Sequence, residues 1–278
     1  MAARTVRVTD VLALVGAFAG PAPVPPPVGR FGRPEVPGDL VPALDALAPA
    51  VRARVLDPLG REDPPPVPGR PRTLVLPASD GVVAPARQVD ERTCGAAVLA
   101  LLALAGDPRL ALGLSRGPHG VGAAFAAAQR VLHARATRGP GGLPLWPAAL
   151  GTPPWGAARV ARYGRVRYGH RVVGGRTART VLGAAVEAAG AGVPVPLYTG
   201  GDLAGGASTA VPRHVVLLTT VRSGVATVYE PSAGRLHAVP VAGLVAGARG
   251  RRDDRLLAPA LGGWPHVVWA LLPRDARG

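Results

Sequence analysis

The sequence predicts an α+β protein in which helices come first along the chain and an antiparallel sheet follows. Apolar residues recur at helical spacing in residues 94–105, 121–135 and 177–189. After residue 190 the pattern changes to short apolar runs separated by turn residues. Since no helices alternate with these runs, βαβ units are not expected. The predicted strands are Val193–Tyr198, His214–Val221, Val225–Tyr229, Arg235–Pro240 and His266–Leu272.

The composition fits a globular protein better than a nucleic-acid-binding one. The chain has 278 residues, of which 48% are hydrophobic, and this is enough to fill a sizeable core. A net charge of +15 would ordinarily suggest an anionic partner. However, the chain contains no Lys, Asn or Ile, the residues with AT-rich codons, so all 32 basic residues are Arg. These arginines are spread along the chain with few stacking aromatics among them, so nucleic acid is not the expected partner.

Two regions are predicted. Residues 1–75 form a partly disordered segment, because prolines crowd at Pro21–Pro27 and again at Pro64–Pro71. Apolar residues from Leu40 to Val55 recur at helical spacing with a break at Pro49, so one or two short helices could dock on the main domain. Residues 76–278 form that domain, which begins near a short predicted strand at Thr73–Leu76.

The N-terminus partly imitates a signal peptide through the apolar run Val11–Gly20. Asp10 interrupts the approach to this run and prolines follow it, so a cytoplasmic protein is expected, with secretion as the alternative. The longest apolar stretch, Ala96–Gly106, is shorter than the ~20 residues of a membrane span. No membrane span is therefore predicted.

Cys94 is the only cysteine, and it lies where the most apolar helix begins. A helix N-terminus stabilises a thiolate, so this position suits a nucleophile. The following Gly95 is expected to leave room for a substrate backbone, and Thr93 is expected to cap the helix. The alternative is that Cys94 is a small buried apolar residue. No Cys or His spacing typical of a metal site is present, so no metal is expected.

Gln88 strengthens the catalytic interpretation. It is one of only two glutamines in the chain and precedes Cys94 by six residues. A side-chain amide in this position can donate to the oxyanion of a tetrahedral intermediate, together with the backbone amide of the nucleophile. The pair Gln88 and Cys94 therefore predicts acyl-transfer chemistry.

His214 is the histidine best placed to act as base for Cys94. It opens the apolar run 215–218, which is typical of a strand buried on both faces. His266 has a similar apolar context but no carboxylate follows it before the C-terminal region. His170 falls in an Arg-rich stretch that is interpreted as a loop. His214 is therefore preferred.

Glu230 is the predicted orienting partner of His214. If residues 222–224 form a three-residue hairpin loop, Glu230 faces Val216, on the same side of the sheet as His214. The carboxylate would then accept a hydrogen bond from the imidazole and fix its tautomer.

Together these motifs resemble those of the papain-like cysteine peptidases of the bacteriocin-processing type, which remove leader peptides after a double glycine. The matching residues are Gln88, Cys94-Gly95, His214-Val215-Val216 and Tyr229-Glu230-Pro231-Ser232-Ala233-Gly234, within residues 82–244. The resemblance implies a helical lobe with a central nucleophile helix, packed on an antiparallel sheet that carries the base, with a peptide in the cleft between them. Two features depart from the family. Glu230 stands where Asp is usual, and no transporter segments are recognisable, so a free-standing relative is expected.

The predicted function is hydrolysis of peptide bonds in a peptide or protein substrate. The predicted catalytic residues are Cys94, His214 and Glu230, with Gln88 in the oxyanion hole, and no cofactor is required. Two alternatives use the same residues. The protein could be a transamidase or deamidase, or an inactive relative that binds peptides.

Overall fold

The computed structural model describes residues 7–14, 34–139, 151–201, 212–246 and 251–274. Within these residues the protein is a mixed α/β structure built around a large antiparallel sheet. The predicted α+β class with an antiparallel sheet is therefore confirmed. The proline-rich stretch 21–27 and most of the signal-like apolar run lie outside the described residues.

The first described elements are three short helices: α1 (Val8–Leu14), α2 (Val41–Asp45) and α3 (Pro49–Leu56). Pro49 opens α3, where its missing N–H costs nothing, so the proline begins a helix instead of only interrupting one. The predicted short helices are confirmed. Buried apolar side chains within residues 40–55 join the main core: Leu40, Leu44, Leu47, Val51 and Val55.

The predicted strand at Thr73–Leu76 is in fact two strands. β1 (Arg72–Thr73) pairs with residues 235–236 of the main sheet, whereas β2 (Val75–Pro77) pairs with β3 (Val83–Pro85) in a separate two-stranded sheet. Residues before and after position 75 thus share one hydrophobic core. The division of the chain at residue 75 stays a prediction.

Four helices follow: α4 (Cys94–Gly106), α5 (Pro108–Ser115), α6 (Val121–Thr137) and α7 (Pro154–Val160). The two longest, α4 and α6, confirm the predicted helices. Nearly every residue of α4 is buried, as its uniformly apolar sequence predicts. None of the described helices has by itself the length and apolar composition to cross a membrane; α4 and α5 meet those criteria only as a pair bent by 112°.

The main sheet contains eight of the described strands, and all of its neighbouring pairs are antiparallel. In chain order the remaining elements are β4 (Arg162–Tyr163), β5 (Val166–Val172), α8 (Ala178–Gly190), β6 (Val195–Gly200), β7 (His214–Arg222), β8 (Val225–Glu230), β9 (Arg235–Pro240), α9 (Val241–Ala246), α10 (Arg251–Ala260) and β10 (His266–Arg274). The spatial order is β1-β9-β8-β7-β6-β10-β5-β4. All five predicted strands after residue 190 are present, with ends that differ by two residues or fewer.

Strand β7 lies in the middle of the sheet and is covered on both faces. Its residues 214–219 are all buried, and both α4 and α8 pack against it. The prediction of a strand buried on both faces is therefore confirmed. This arrangement puts the start of α4 near the start of β7.

The loop of the β7–β8 hairpin is shorter than predicted, but the predicted pairing of the two strands beyond it is found. The loop has two residues, Ser223 and Gly224, with φ of 48° and 75°, so the predicted three-residue loop is wrong. Positive φ at both positions is typical of a tight type I′ hairpin turn. An irregularity between Leu218 and Thr220 then shifts the register by one residue. Beyond it Leu217 pairs with Tyr229, as the longer loop would have required.

Candidate active site

Cys94 is the first residue of α4, and its side chain is only 5% exposed. Thr93 precedes it but does not cap the helix with its side chain, which corrects the prediction. Instead, Thr93 Oγ1 accepts hydrogen bonds from the amides of Val89 and Asp90 and donates to the Asp90 carbonyl. Thr93 thereby fixes the turn before α4. The positive end of the α4 dipole therefore acts on the thiol of Cys94.

Gly95 serves a different purpose from the predicted one. A Cβ at this position would lie 2.8 Å from Cβ of Thr152 and 3.3 Å from Cγ2 of Val215. The space beside Gly95 is therefore filled by the wall of the cleft and is not open to a substrate. Gly95 allows α4 to pack closely against β7, which carries Val215 next to His214.

Cys94 and His214 line the same cleft. His214 is the first residue of β7, is buried, and lies in the wall of the cleft with Cys94, whose thiol is one of the groups that raise the pKa of His214. The structure thus brings together the two residues on which the sequence interpretation depends. The other lining residues are Glu91, Arg92, Gly151, Thr152, Tyr198, Pro212, Arg213 and Val215.

Glu230 lies behind His214 at the end of β8. Its Oε1 lies 2.8 Å from His214 Nε2, which is the contact that the sheet register predicts. Because Nε2 faces the carboxylate, Nδ1 is the ring nitrogen left to interact with the Cys94 thiol. The backbone amides of Ser232 and Ala233 also donate to Glu230, each at 2.8 Å. Three hydrogen bonds therefore hold the carboxylate in one orientation.

The pKa shifts of this pair favour the charged forms. Burial opposes protonation of the His214 ring, but the hydrogen bonds with Cys94 and Glu230 outweigh it and raise the pKa of His214 from 6.5 to about 9. Burial likewise opposes ionisation of Glu230, yet its hydrogen bonds with His214 and with the two amides lower its pKa from 4.5 to about 2. At neutral pH the cleft therefore holds an imidazolium bound to a carboxylate.

Gln88 is not among the described residues that line the cleft. Its Nε2 donates to the Asp90 carbonyl at 2.8 Å, and its Oε1 accepts a hydrogen bond from Ser232 Oγ at 3.1 Å. The second contact places Gln88 beside the loop that donates to Glu230. Gln88 therefore lies close to the loop beside Glu230, but its side-chain amide donates to Asp90. Its role in the oxyanion hole stays a prediction.

Gln129 is a buried residue of this region that the sequence interpretation missed. It lies on α6 with no exposed surface, where Oε1 accepts from the Val89 amide at 3.0 Å and Nε2 donates to the Arg87 carbonyl at 2.9 Å. One side chain therefore holds the backbone on both sides of Gln88. The signal in the sequence is a lone amide within an otherwise apolar helix face.

Gly262 was also missed. It follows α10 with φ of 68°, and a Cβ there would lie 2.7 Å from Nε2 and 3.0 Å from Cγ of His214. The buried hydroxyl of Thr199 donates to the neighbouring Leu261 carbonyl at 2.9 Å and ties this turn to β6. The backbone of Gly262 therefore packs directly on the imidazole of His214.

The rival histidines lie elsewhere. His266 opens β10, pairs with Gly200 of β6, and is not among the described cleft residues. His170 belongs to β5, so its assignment to a loop is wrong; its Nδ1 accepts a hydrogen bond from Trp269. Among the described residues, no three His, Cys, Asp or Glu side chains are grouped to hold a metal ion.

Comparison of the chain with protein-family models, with curated proteins and with solved structures finds no match. The resemblance to papain-like peptidases therefore depends on the sequence motifs alone.

Proposed function

We propose that this protein is a cysteine peptidase of papain-like type that hydrolyses peptide bonds with Cys94, His214 and Glu230. The observation that carries the proposal is the group of three side chains: a thiol at a helix N-terminus, an imidazole that lines the same cleft, and a carboxylate 2.8 Å from Nε2 of that imidazole. This is the nucleophile, base and orienting group that acyl transfer requires.

In the proposed first half-reaction the Cys94 sulfur attacks the peptide carbonyl carbon. A C–S bond forms, and the carbonyl π electrons move to oxygen, where the Cys94 backbone amide stabilises the oxyanion. The C–N bond then breaks as the imidazolium of His214 gives its Nδ1 proton to the leaving amine. The product of this step is a thioester and a free amine.

In the second half-reaction water replaces the amine. Neutral His214 takes a proton from the water through Nδ1, and the resulting hydroxide attacks the thioester carbonyl carbon. The C–S bond breaks, which releases a carboxylic acid and restores the thiolate beside the imidazolium. Glu230 stays ionised throughout and holds the ring with Nδ1 towards the sulfur.

Gln88 is the proposed second oxyanion donor. To act, its Nε2 must leave the Asp90 carbonyl and turn towards the oxygen at Cys94. Gln129 supports this proposal, because it fixes the backbone of residues 87–89 and leaves the Gln88 side chain as the moving part.

The test compares the wild-type protein with Cys94→Ala and Cys94→Ser on a peptide library, with products identified by mass spectrometry. New peptide termini that need Cys94 support the proposal, whereas equal turnover by Cys94→Ala would sink it. Mass changes on glutamine side chains without chain cleavage would instead indicate the deamidase or transamidase alternative. Because the chain has one cysteine, alkylation reports on Cys94 alone. A thiol that does not react at neutral pH would indicate the inactive peptide-binding alternative.

A further inference from the structure

Three arginines lie directly opposite one another across three adjacent strands at one edge of the main sheet. Arg162 of β4 pairs with Arg167 of β5, and Arg167 pairs with Arg274 of β10. Directly opposite residues of antiparallel strands point to the same face, with Cβ atoms about 5 Å apart. We call Arg162, Arg167 and Arg274 the arginine ladder.

A fourth arginine and a glycine extend the charge along β5. Arg171 lies on the same face as Arg167, with Gly169 between them. The guanidinium of Arg274 lies over Gly169, where a Cβ would come within 2.6 Å of its Cζ. Arg274 can take this position because Gly169 has no side chain. Burial and then the charge of Arg274 lower the pKa of Arg171, which agrees with two guanidinium groups held close together.

The surroundings of the arginine ladder contribute little negative charge. None of the three ladder arginines forms an ion pair with a described Asp or Glu, and Nη1 of Arg162 donates to the backbone carbonyls of Arg159 and Ala161. Helix α7, which packs against β5, carries no acidic residue. Asp275 follows Arg274 in the sequence but lies outside the described residues. Like charges directly opposite each other destabilise a sheet, so the free protein holds this arrangement at a cost.

We propose that the arginine ladder binds a compact anion that carries several phosphoryl groups. Guanidinium groups match phosphate oxygens with paired hydrogen bonds. An extended acidic peptide presents a carboxylate to one face only at every second residue, about 7 Å apart, so it matches this density of charge less well. A triphosphate chain fits better, and it occurs both in free tripolyphosphate and in nucleoside triphosphates. The site does not depend on the proposed peptidase activity.

The test titrates the full chain with tripolyphosphate by calorimetry, with ATP as a second ligand. Arg167→Gln and Arg274→Gln should each weaken binding about tenfold, because each removes charge-assisted hydrogen bonds. The matched control is Arg130→Gln, which removes an exposed charge from α6 and should leave binding unchanged. Equal affinities for both ligands indicate recognition of the phosphate chain alone, and tighter binding of ATP indicates a nucleotide. Tighter binding of polyglutamate or of a single-stranded oligonucleotide than of tripolyphosphate overturns the proposal.

Thermal unfolding at low salt gives an independent readout. Arg167→Gln should raise the melting temperature of the free protein, because it relieves repulsion on both sides of β5. The same substitution should remove most of the further rise that tripolyphosphate produces in the wild-type protein. A lower melting temperature of the free variant, with the tripolyphosphate-induced rise unchanged, overturns the proposal.

Discussion

Replacement of Glu230 by Gln is the most direct test of the triad, because it keeps the shape of the side chain and removes its charge. In the wild-type protein Glu230 Oε1 accepts from His214 and Ser232, and Oε2 accepts from Ala233. A glutamine can keep the first two hydrogen bonds through its oxygen. Its NH₂ group then faces the Ala233 amide, so one hydrogen bond and the ion pair are lost.

The expected size follows from the charge that is removed. An adjacent opposite charge typically shifts a pKa by about 1 to 3 pH units, so the pKa of His214 should fall from about 9 by that amount. This corresponds to about 1.4 to 4 kcal/mol less stabilisation of the imidazolium. With its pKa lowered to between about 8 and about 6, His214 stays about 90% to about 10% protonated at pH 7, so hydrolysis at neutral pH should fall by up to about tenfold.

Two pH profiles of wild-type and Glu230→Gln proteins measure this change. Alkylation of Cys94 by iodoacetamide, followed by mass spectrometry, should need a higher pH in the variant. The alkaline limb of peptide hydrolysis should move to lower pH, because the imidazolium that protonates the leaving amine is lost earlier. Glu187→Gln on α8 removes an exposed carboxylate and should leave both profiles in place. Alkylation and hydrolysis profiles of Glu230→Gln that superimpose on those of the wild type would refute the role of this carboxylate.

Three further predictions concern the surroundings of the pair. Gly262→Ala should displace the His214 ring and lower kcat by about tenfold or more without a matching change in KM, which steady-state kinetics can check; unchanged kcat would contradict the packing argument. Gln129→Leu should lower the free energy of unfolding in urea by about 1 to 3 kcal/mol, since it removes two part-buried hydrogen bonds, and a neutral result would show that this segment finds other partners. The His214–Glu230 pair should stabilise the fold most between about pH 4.5 and 6.5. Its contribution is lost as pH rises from 6.5 through about 9, where His214 deprotonates, and as pH falls from 4.5 through about 2, where Glu230 protonates. Urea unfolding across pH should show a bell-shaped difference between wild type and Glu230→Gln, and a flat difference would contradict it.

The parts of the site that follow from local pattern were predictable. A helix that is apolar on all sides must be central, so α4 and the position of Cys94 at its start follow from the sequence. His214 and Glu230 meet because strand alternation places them on one face. The register was obtained with the wrong loop, however, since nothing in residues 217–220 marks the irregularity that compensates for the shorter turn.

The parts that were missed depend on contacts between distant residues. Strand β5 was interpreted as a loop because its arginines dominate the stretch, although Val166, Tyr168 and Val172 alternate with the outward Arg167 and Arg171 as in a strand. The orientation of the Gln88 side chain is set by Ser232, 144 residues further along the chain. The close approach of Gly262 to His214 likewise exists only after α10 has docked. Such contacts leave no periodic signal in the sequence.

Both outermost strands of the main sheet, β1 and β4, are only two residues long. An unpaired edge of backbone amides and carbonyls is a template on which another chain can add a strand. The length of that edge limits the number of hydrogen bonds that the added strand can form. Each outermost strand offers only two residues to such a chain, and Arg72 and Arg162 add positive charge there. Growth of fibres from these two strands is therefore disfavoured, and trimming the chain past Thr73 would unpair Arg235 and Leu236, the two residues of β9 that β1 covers.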